Sequence, residues 1–219
     1  MMIKQYKILI FDWDGTLADS VAQIVASAQY AARQTGLPEP DDEAVRRVIG
    51  LDLAQALHQA VPKARKADLP QLLQYYRRHY LSPGNRTVLF ADTVRVLSLL
   101  RQHYWLAIAT GKSRRGLTKG LRDTGIADYF LATRTVDECA AKPNPEMVLS
   151  ICEELGTEPR EVLMIGDTTH DLWLAANAGA DAAAVSTGAH GADMLRQAPH
   201  VGLFAHLGDL AQWLGVPLS

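Results

Sequence analysis

Hydrophobic and polar positions along this chain of 219 residues follow two regimes. Apolar runs of strand length occur at 6–11, 104–109, 131–136, 162–165 and 182–185. Each is short enough, and β-branched or aliphatic enough, to be a strand buried on both faces. From Asp92 onward these runs alternate with stretches of helical period at 92–103, 113–123, 145–155, 169–178 and 207–214. Gly125 and Gly179 mark two helix ends, and Asn144 followed by Pro145 reads as an N-cap with proline at the first position. One strand and one helix in repeated alternation imply right-handed crossovers and a parallel sheet covered on both faces.

Between 20 and 81 the strand signal disappears. An Ala-rich helical stretch, 21–34, stops at Gly36 with Pro38 beyond. Asp41, Asp42 and Glu43 open a second helix to about residue 49, with acids at its positive end. Gly50 breaks it, 51–60 resumes before Pro62, and 69–80 carries Tyr75, Tyr76 and Tyr80 before Ser82-Pro83-Gly84. The expected fold class is therefore α/β, a Rossmann-like parallel sheet core with helices on both faces, plus a small inserted all-α cap. Core boundaries are expected at 1–16 and 86–219, with the cap at 17–85. Neither an internal repeat nor a low-complexity tract is visible.

Composition narrows the function classes. A hydrophobic share of 48% supports a substantial core. A net charge of −2 and a pI near 6.4 give no electrostatic footprint for nucleic acid or an anionic membrane. Cys139 and Cys152 have no pairing pattern, which suits a reducing cytosol. The first apolar run is too short for a signal peptide or a membrane span. The expectation is a soluble, cytoplasmic protein, monomer or homodimer.

Chemistry concentrates where strand patterns end, the side on which open α/β sheets bind ligands. The first run ends in Asp12-Trp13-Asp14-Gly15-Thr16. One acid there can meet an electrophile while the other handles protons. Gly15 and Thr16 can offer backbone N–H groups to phosphate oxygens in a tight turn. The 104–109 run leads into Thr110-Gly111-Lys112-Ser113, where a hydroxyl and a helix N-terminus suit a phosphate oxygen, although a threonine at a strand end is, taken alone, more often a simple helix cap. A nucleotide P-loop is excluded, because it needs glycine where Leu106 stands. Lys142 is followed by prolines that fix the chain and position its ammonium. Gly166-Asp167-Thr168-Thr169-His170-Asp171 places two carboxylates four apart, a set suited to a hard cation such as Mg²⁺; Asp171 alone could complement a helix dipole.

These four stretches, in order, resemble the motifs of the haloacid dehalogenase superfamily, and most closely its phosphoglycolate-phosphatase-like branch. Asp12-x-Asp14-Gly15-Thr16-Leu17-x-Asp19-Ser20 is similar to the family's first motif, Thr110 with Gly111 to the second, Lys142 to the third, and Gly166-Asp167-x-x-x-Asp171 to the fourth. The resemblance implies a phosphatase acting on a small phosphorylated metabolite: it hydrolyses a small phosphomonoester, phosphoglycolate-like or a sugar phosphate, through an aspartyl-phosphate. In it Asp12 is the nucleophile, Asp14 the general acid and base, and Lys142 the charge that offsets nucleophile and phosphate. It implies Mg²⁺ held by Asp12, Asp14 through its backbone carbonyl, and Asp167, with Asp171 orienting metal water or Lys142. Gly15, Thr16, Thr110, Gly111 and Lys112 are then the phosphate cradle. Asp14 itself favours phosphate-ester chemistry over dehalogenation. Arg46, Arg47 and Gly50 lie where relatives contact the leaving group, and Arg47 would suit a second anion there; both arginines also read as solvated helix-end cations. His170 reads as a surface or outer-sphere histidine and Cys139 as a buried, inert thiol. A phosphomutase of the same superfamily, or a phosphate sensor without catalysis, are the alternative readings.

Overall fold

The computed structural model describes residues 5–82 and 84–217. Its sheet contains β1 (Ile8–Phe11), β2 (Trp105–Thr110), β3 (Ala132–Thr135), β4 (Val162–Gly166), β5 (Asp181–Val185) and β6 (Gly202–Phe204). They run in the order β3-β2-β1-β4-β5-β6, every neighbouring pair parallel. The hydrophobic pattern does not predict β6. Three residues are too short a run to read, and the segment becomes a strand by pairing with the open side of β5.

Alternation along β1 sorts the core into two halves. Ile8 and Ile10 pack with Met147, Val148 and Ile151 of α7 (Glu146–Leu155) and with Leu172 and Leu174 of α8 (Thr169–Ala178). Leu9 and Phe11 face Val96, Leu97 and Leu100 of α5 (Thr93–Leu100), Leu117 of α6 (Arg114–Thr124) and Leu210 of α10 (Leu207–Trp213). Helices thus cover both faces of the sheet, as the alternation predicts. The helix at 145–155 begins one residue late, at Glu146, and the Asn144 side chain accepts from the Glu146 N–H at its start. A short helix, α9 (Ala192–Leu195), lies between β5 and β6.

The helical stretch resolves into α1 (Val21–Gln34), α2 (Asp42–Arg46), α3 (Leu53–Ala60) and α4 (Leu69–Tyr80). These share their own apolar cluster, which includes Val25, Ala28, Ala32, Val45, Leu57, Leu72 and Tyr76. Asp41 caps α2 and Asp52 caps α3 by accepting backbone N–H bonds. The second helix stops at Arg46, short of residue 49, and the chain turns through Gly50 at φ +97°. Pro83, part of the stop signal after α4, lies outside the described residues. Where the chain leaves and re-enters the sheet domain, Ala18 bridges Leu89 and the Asp19 N–H donates to the Val88 carbonyl. No helix among the described residues is long and apolar enough to cross a membrane.

Candidate active site

The chain moves from β1 to β2 and β3 on one side, then crosses back to β4, β5 and β6 on the other. The crevice beyond the carboxyl ends of β1, β2 and β4 is therefore a topological switch point, where sheets of this kind hold ligands. Asp12 follows β1 directly, and its N–H donates to Ile165 at the end of β4. Thr110 ends β2, and Asp167 follows β4. Parallel register between these strands carries the three residues to one level.

Lys142 is buried between two carboxylates from different strand ends. Its Nζ lies 2.7 Å from Asp12 Oδ1 and 2.5 Å from Asp171 Oδ1. Burial opposes its charge, but Asp12 and Asp171 together outweigh burial and hold the ammonium protonated above its ordinary range. Burial also raises Asp12, to about 7 against the pull of Lys142, and raises Asp167, where the charge of Asp12 adds to burial.

Asp167 sits in a cradle of neutral donors. Thr16 Oγ1 donates to Oδ1 (2.7 Å) and the Ala189 N–H to Oδ2 (2.7 Å). Asp171 Oδ2 accepts from the Thr168 N–H and hydroxyl. Ligand atoms of Asp12, Asp167 and Asp171 all lie within 4.8 Å of one another. Asp12 Oδ2 is buried with no hydrogen-bond partner among the described residues. A bare carboxylate oxygen beside two further buried acids, with one ammonium nearby, is a donor set that fits a hard divalent cation. The Asp14 carboxylate stands outside this triad.

Asp14 belongs to a second cluster. Ser20 Oγ donates to its Oδ1 (2.6 Å), and Lys112 Nζ lies 2.9 and 3.0 Å from its two oxygens. The same ammonium donates to the Tyr80 hydroxyl oxygen at 2.7 Å, and Tyr80 stacks on Tyr76 in α4. Burial disfavours the charge on Lys112, yet Asp14 and Tyr80 raise it above the ordinary lysine range. Lys112 is thus on the general-acid candidate, with its ammonium engaged there rather than free for a phosphate.

Asp12, Asp14, Thr110, Gly111 and Lys112 line one cavity of about 710 Å³, whose remaining wall comes largely from the helical block. One cradle residue acts differently from expectation. The Gly15 N–H donates to the Ala18 carbonyl, so it is not a free anion donor. Glycine is required there because φ is +83° and a Cβ would fall 2.3 Å from Asp167 Oδ2. The Thr16 hydroxyl is committed to Asp167. At Gly111 a Cβ would strike the Gly50 carbonyl oxygen at 2.5 Å, so this glycine lets the helical block approach the sheet.

Arg47 is not brought to the cavity. Its guanidinium pairs with Glu43 one turn away, its side chain is 64% exposed, and it is absent from the cavity wall. The turn instead presents the Arg47 carbonyl to His170 Nε2 (3.1 Å) and His190 Nε2 (3.3 Å). His190 Nδ1 accepts from the Thr169 N–H, which assigns the proton to Nε2. Cys139 is a buried thiol on the cavity wall, raised by burial.

Sequence reasoning missed Ser20, Tyr80 and the loop after β5, where Thr187 donates to the Gly15 carbonyl and Ala189 to Asp167. Ser20 lies inside the first motif and was readable there. The loop offered only its glycines, Gly188 and Gly191, as a signal.

Comparison with known proteins agrees with this geometry. A family model described as haloacid dehalogenase-like hydrolase matches residues 9–185. A protein of Dickeya dadantii (strain 3937) named "Probable phosphatase IndB" is 36% identical over 197 residues, covering 87% of this chain and 86% of its own. A phosphoglycolate phosphatase of Chromobacterium violaceum is 31% identical over 223 residues, covering 96% and 98%. Among solved structures, a haloacid dehalogenase-like family hydrolase of Streptococcus pneumoniae has the same fold, with a TM-score of 0.85 at 22% identity, over 95% of this chain and 98% of that one. The chain belongs to the haloacid dehalogenase-like hydrolases and, within them, to the phosphatases.

Proposed function

We propose that the protein hydrolyses a phosphomonoester through an aspartyl-phosphate on Asp12, with Mg²⁺ as its cofactor. The observation that carries this reading is Asp12 itself, one oxygen on Lys142 and the other bare and buried, at the floor of the cavity. Asp12, Asp167 and the Asp14 backbone carbonyl are the residues that would hold Mg²⁺, with Asp171, whose oxygens are on Lys142 and Thr168, beside them. When bound, the ion supplies positive charge against which the phosphoryl oxygens and the carboxylates can meet.

The remaining chemistry belongs to the chain. An Asp12 carboxylate oxygen attacks phosphorus, and the bond from phosphorus to the ester oxygen breaks. Asp14 delivers a proton to the departing alkoxide and, now ionised, takes one from the water that attacks the aspartyl-phosphate. Phosphate leaves, and Asp12 is regenerated as a carboxylate. Lys142 keeps Asp12 and Asp171 compensated throughout. Lys112 turns from Asp14 toward the arriving phosphoryl oxygens, which frees Asp14 to carry a proton. The Thr110 hydroxyl and the amides at the strand ends complete the cradle. The helical block covers the site and limits water to the molecule that reacts.

Phosphate release from a panel of small phosphomonoesters, with Mg²⁺ and with chelator, tests this reading. Release that depends on Mg²⁺ and is lost in Asp12→Asn is expected. Activity that persists in the variant would remove Asp12 as nucleophile.

A further inference from the structure

We propose that the ester hydrolysed here carries an apolar alcohol of ring size or larger, selected by the aliphatic wall that the helical block turns toward Asp12 and Asp14. The proposal rests on the phosphatase reading above and specifies its substrate class.

Three observations point to this class. The first is size. At about 710 Å³ the cavity falls within the roughly 300–1,000 Å³ range that buries a drug-sized ligand, far more room than a phosphoryl group with a two-carbon acid needs. The second is the wall. Opposite the aspartates it is built from Ile24, Leu53, Leu57, Leu73 and Tyr76, drawn from α1, α3 and α4. Such a surface gains by covering hydrocarbon and offers nothing to a carboxylate, whose water it would remove without replacement.

The third is the placement of charge. The lysine beside the aspartates is engaged, and the two arginines that line the cavity stand at exposed positions. Lys112 is taken by Asp14 and Tyr80 and, once the ester arrives, by its phosphoryl group, and Arg47 pairs with Glu43 outside the cavity. Arg77 and Arg115 line the cavity at exposed positions, where water screens their charge. The Asp52 carboxylate is occupied by the first amides of α3. A small ester with a second anionic group, such as phosphoglycolate, would find only those screened arginines and leave most of the aliphatic wall uncovered. An ester with an apolar body fills the same space while its phosphoryl group stays on the strand ends.

The test is an alkyl series, because alkyl alcohols leave with similar intrinsic difficulty and differ mainly in apolar surface. With the full chain and Mg²⁺, kcat/KM is measured for methyl, butyl and cyclohexylmethyl phosphate, beside phosphoglycolate and pyrophosphate. A rise of at least about 100-fold from methyl to cyclohexylmethyl, the scale on which hydrophobic pockets discriminate, with phosphoglycolate and pyrophosphate below the largest member, is expected. A flat series, or phosphoglycolate or pyrophosphate above cyclohexylmethyl phosphate, would overturn the proposal while leaving the phosphatase intact. No release from any ester would overturn the phosphatase reading and this one with it. Leu53→Asn and Leu73→Asn, both at half-buried positions, should each reduce the cyclohexylmethyl-to-methyl ratio about tenfold, and Leu53→Met and Leu73→Met should restore it. Because the readout is a ratio within one protein, a general loss of folded enzyme does not mimic it.

Discussion

The site holds two buried lysine–aspartate clusters that look alike in composition and differ in how they are assembled. Asp12 follows β1, Asp171 lies in the first turn of α8 and Lys142 in the loop between β3 and α7, and their side chains are 0–1% exposed. Lys112 and Asp14 are 8% and 13% exposed, and their third partner, Tyr80, comes from the last turn of α4. The first cluster is complete within the sheet domain. The second is complete only while the helical block lies against it. The difference teaches that the electrostatic background for Asp12 is fixed by the sheet domain, whereas the setting of Asp14 depends on how α4 docks against it. That arrangement suits an enzyme whose nucleophile must be ready before substrate arrives and whose acid must respond to it.

Substitutions can break this contrast. Asp12→Asn should reduce turnover by at least about 10⁴-fold, on the scale seen when a nucleophile is removed, while leaving the chain folded; steady-state phosphate release and circular dichroism check both halves. Lys142→Met leaves Asp12 and Asp171 buried without their cation. It should lower unfolding free energy in the absence of metal by about 3–5 kcal/mol, the usual result of orphaning one side of a buried pair, and denaturant titration reads it.

Proton competition sharpens the first cluster further. Burial raises Asp12 to about 7 and raises Asp167 as well. An acid whose folded pKa exceeds its unfolded one, about 3.9, binds more protons when folded. The metal-free protein should therefore be most stable below pH 4 with respect to these groups and lose that contribution as pH rises toward 7. Mg²⁺ competes with the same protons, so its stabilising shift in Tm should grow over that window. A Mg²⁺ shift that shrinks with rising pH would contradict the acid triad as the cation site.

The second cluster should yield smaller effects. Lys112→Met removes a charged donor to Asp14 and should cost about 1.5–3 kcal/mol of stability, with kcat falling more than KM rises. Tyr80→Phe removes one hydroxyl that lies 2.7 Å from Lys112 and should cost about 0.5–1.5 kcal/mol, less than Lys112→Met in both stability and kcat/KM. An effect of Tyr80→Phe as large as that of Lys142→Met would erase the distinction between the two clusters.

Much of this was legible in the chain. The strand-then-acid pattern at Asp12 and Asp167 could be read because a buried parallel strand is a continuous apolar run and its ligand-facing end is polar. The helical block could be read from 60 residues without a strand signal, bounded by glycines and prolines. What escaped depends on contacts between distant segments. Gly15 looked like an anion donor, yet its N–H is on the Ala18 carbonyl and its missing side chain makes room for Asp167, some 150 residues away. Arg47 looked like a ligand for a second anion, but its turn directs the carbonyl inward, onto His170 and His190, and leaves the guanidinium with Glu43. Tyr80 read as one of several aromatics on α4, and only the docking of that helix places its hydroxyl on Lys112.

Asp12 is the residue on which the proposed reaction places the phosphoryl group. The direct measurement is to quench the enzyme during turnover, reduce with borohydride, and sequence the peptide containing Asp12 by mass spectrometry. Reduction of an aspartyl-phosphate leaves homoserine, so homoserine at position 12, absent without substrate, is the predicted result. Sustained turnover with unmodified aspartate at position 12, or with the modification at another carboxylate, would contradict the account.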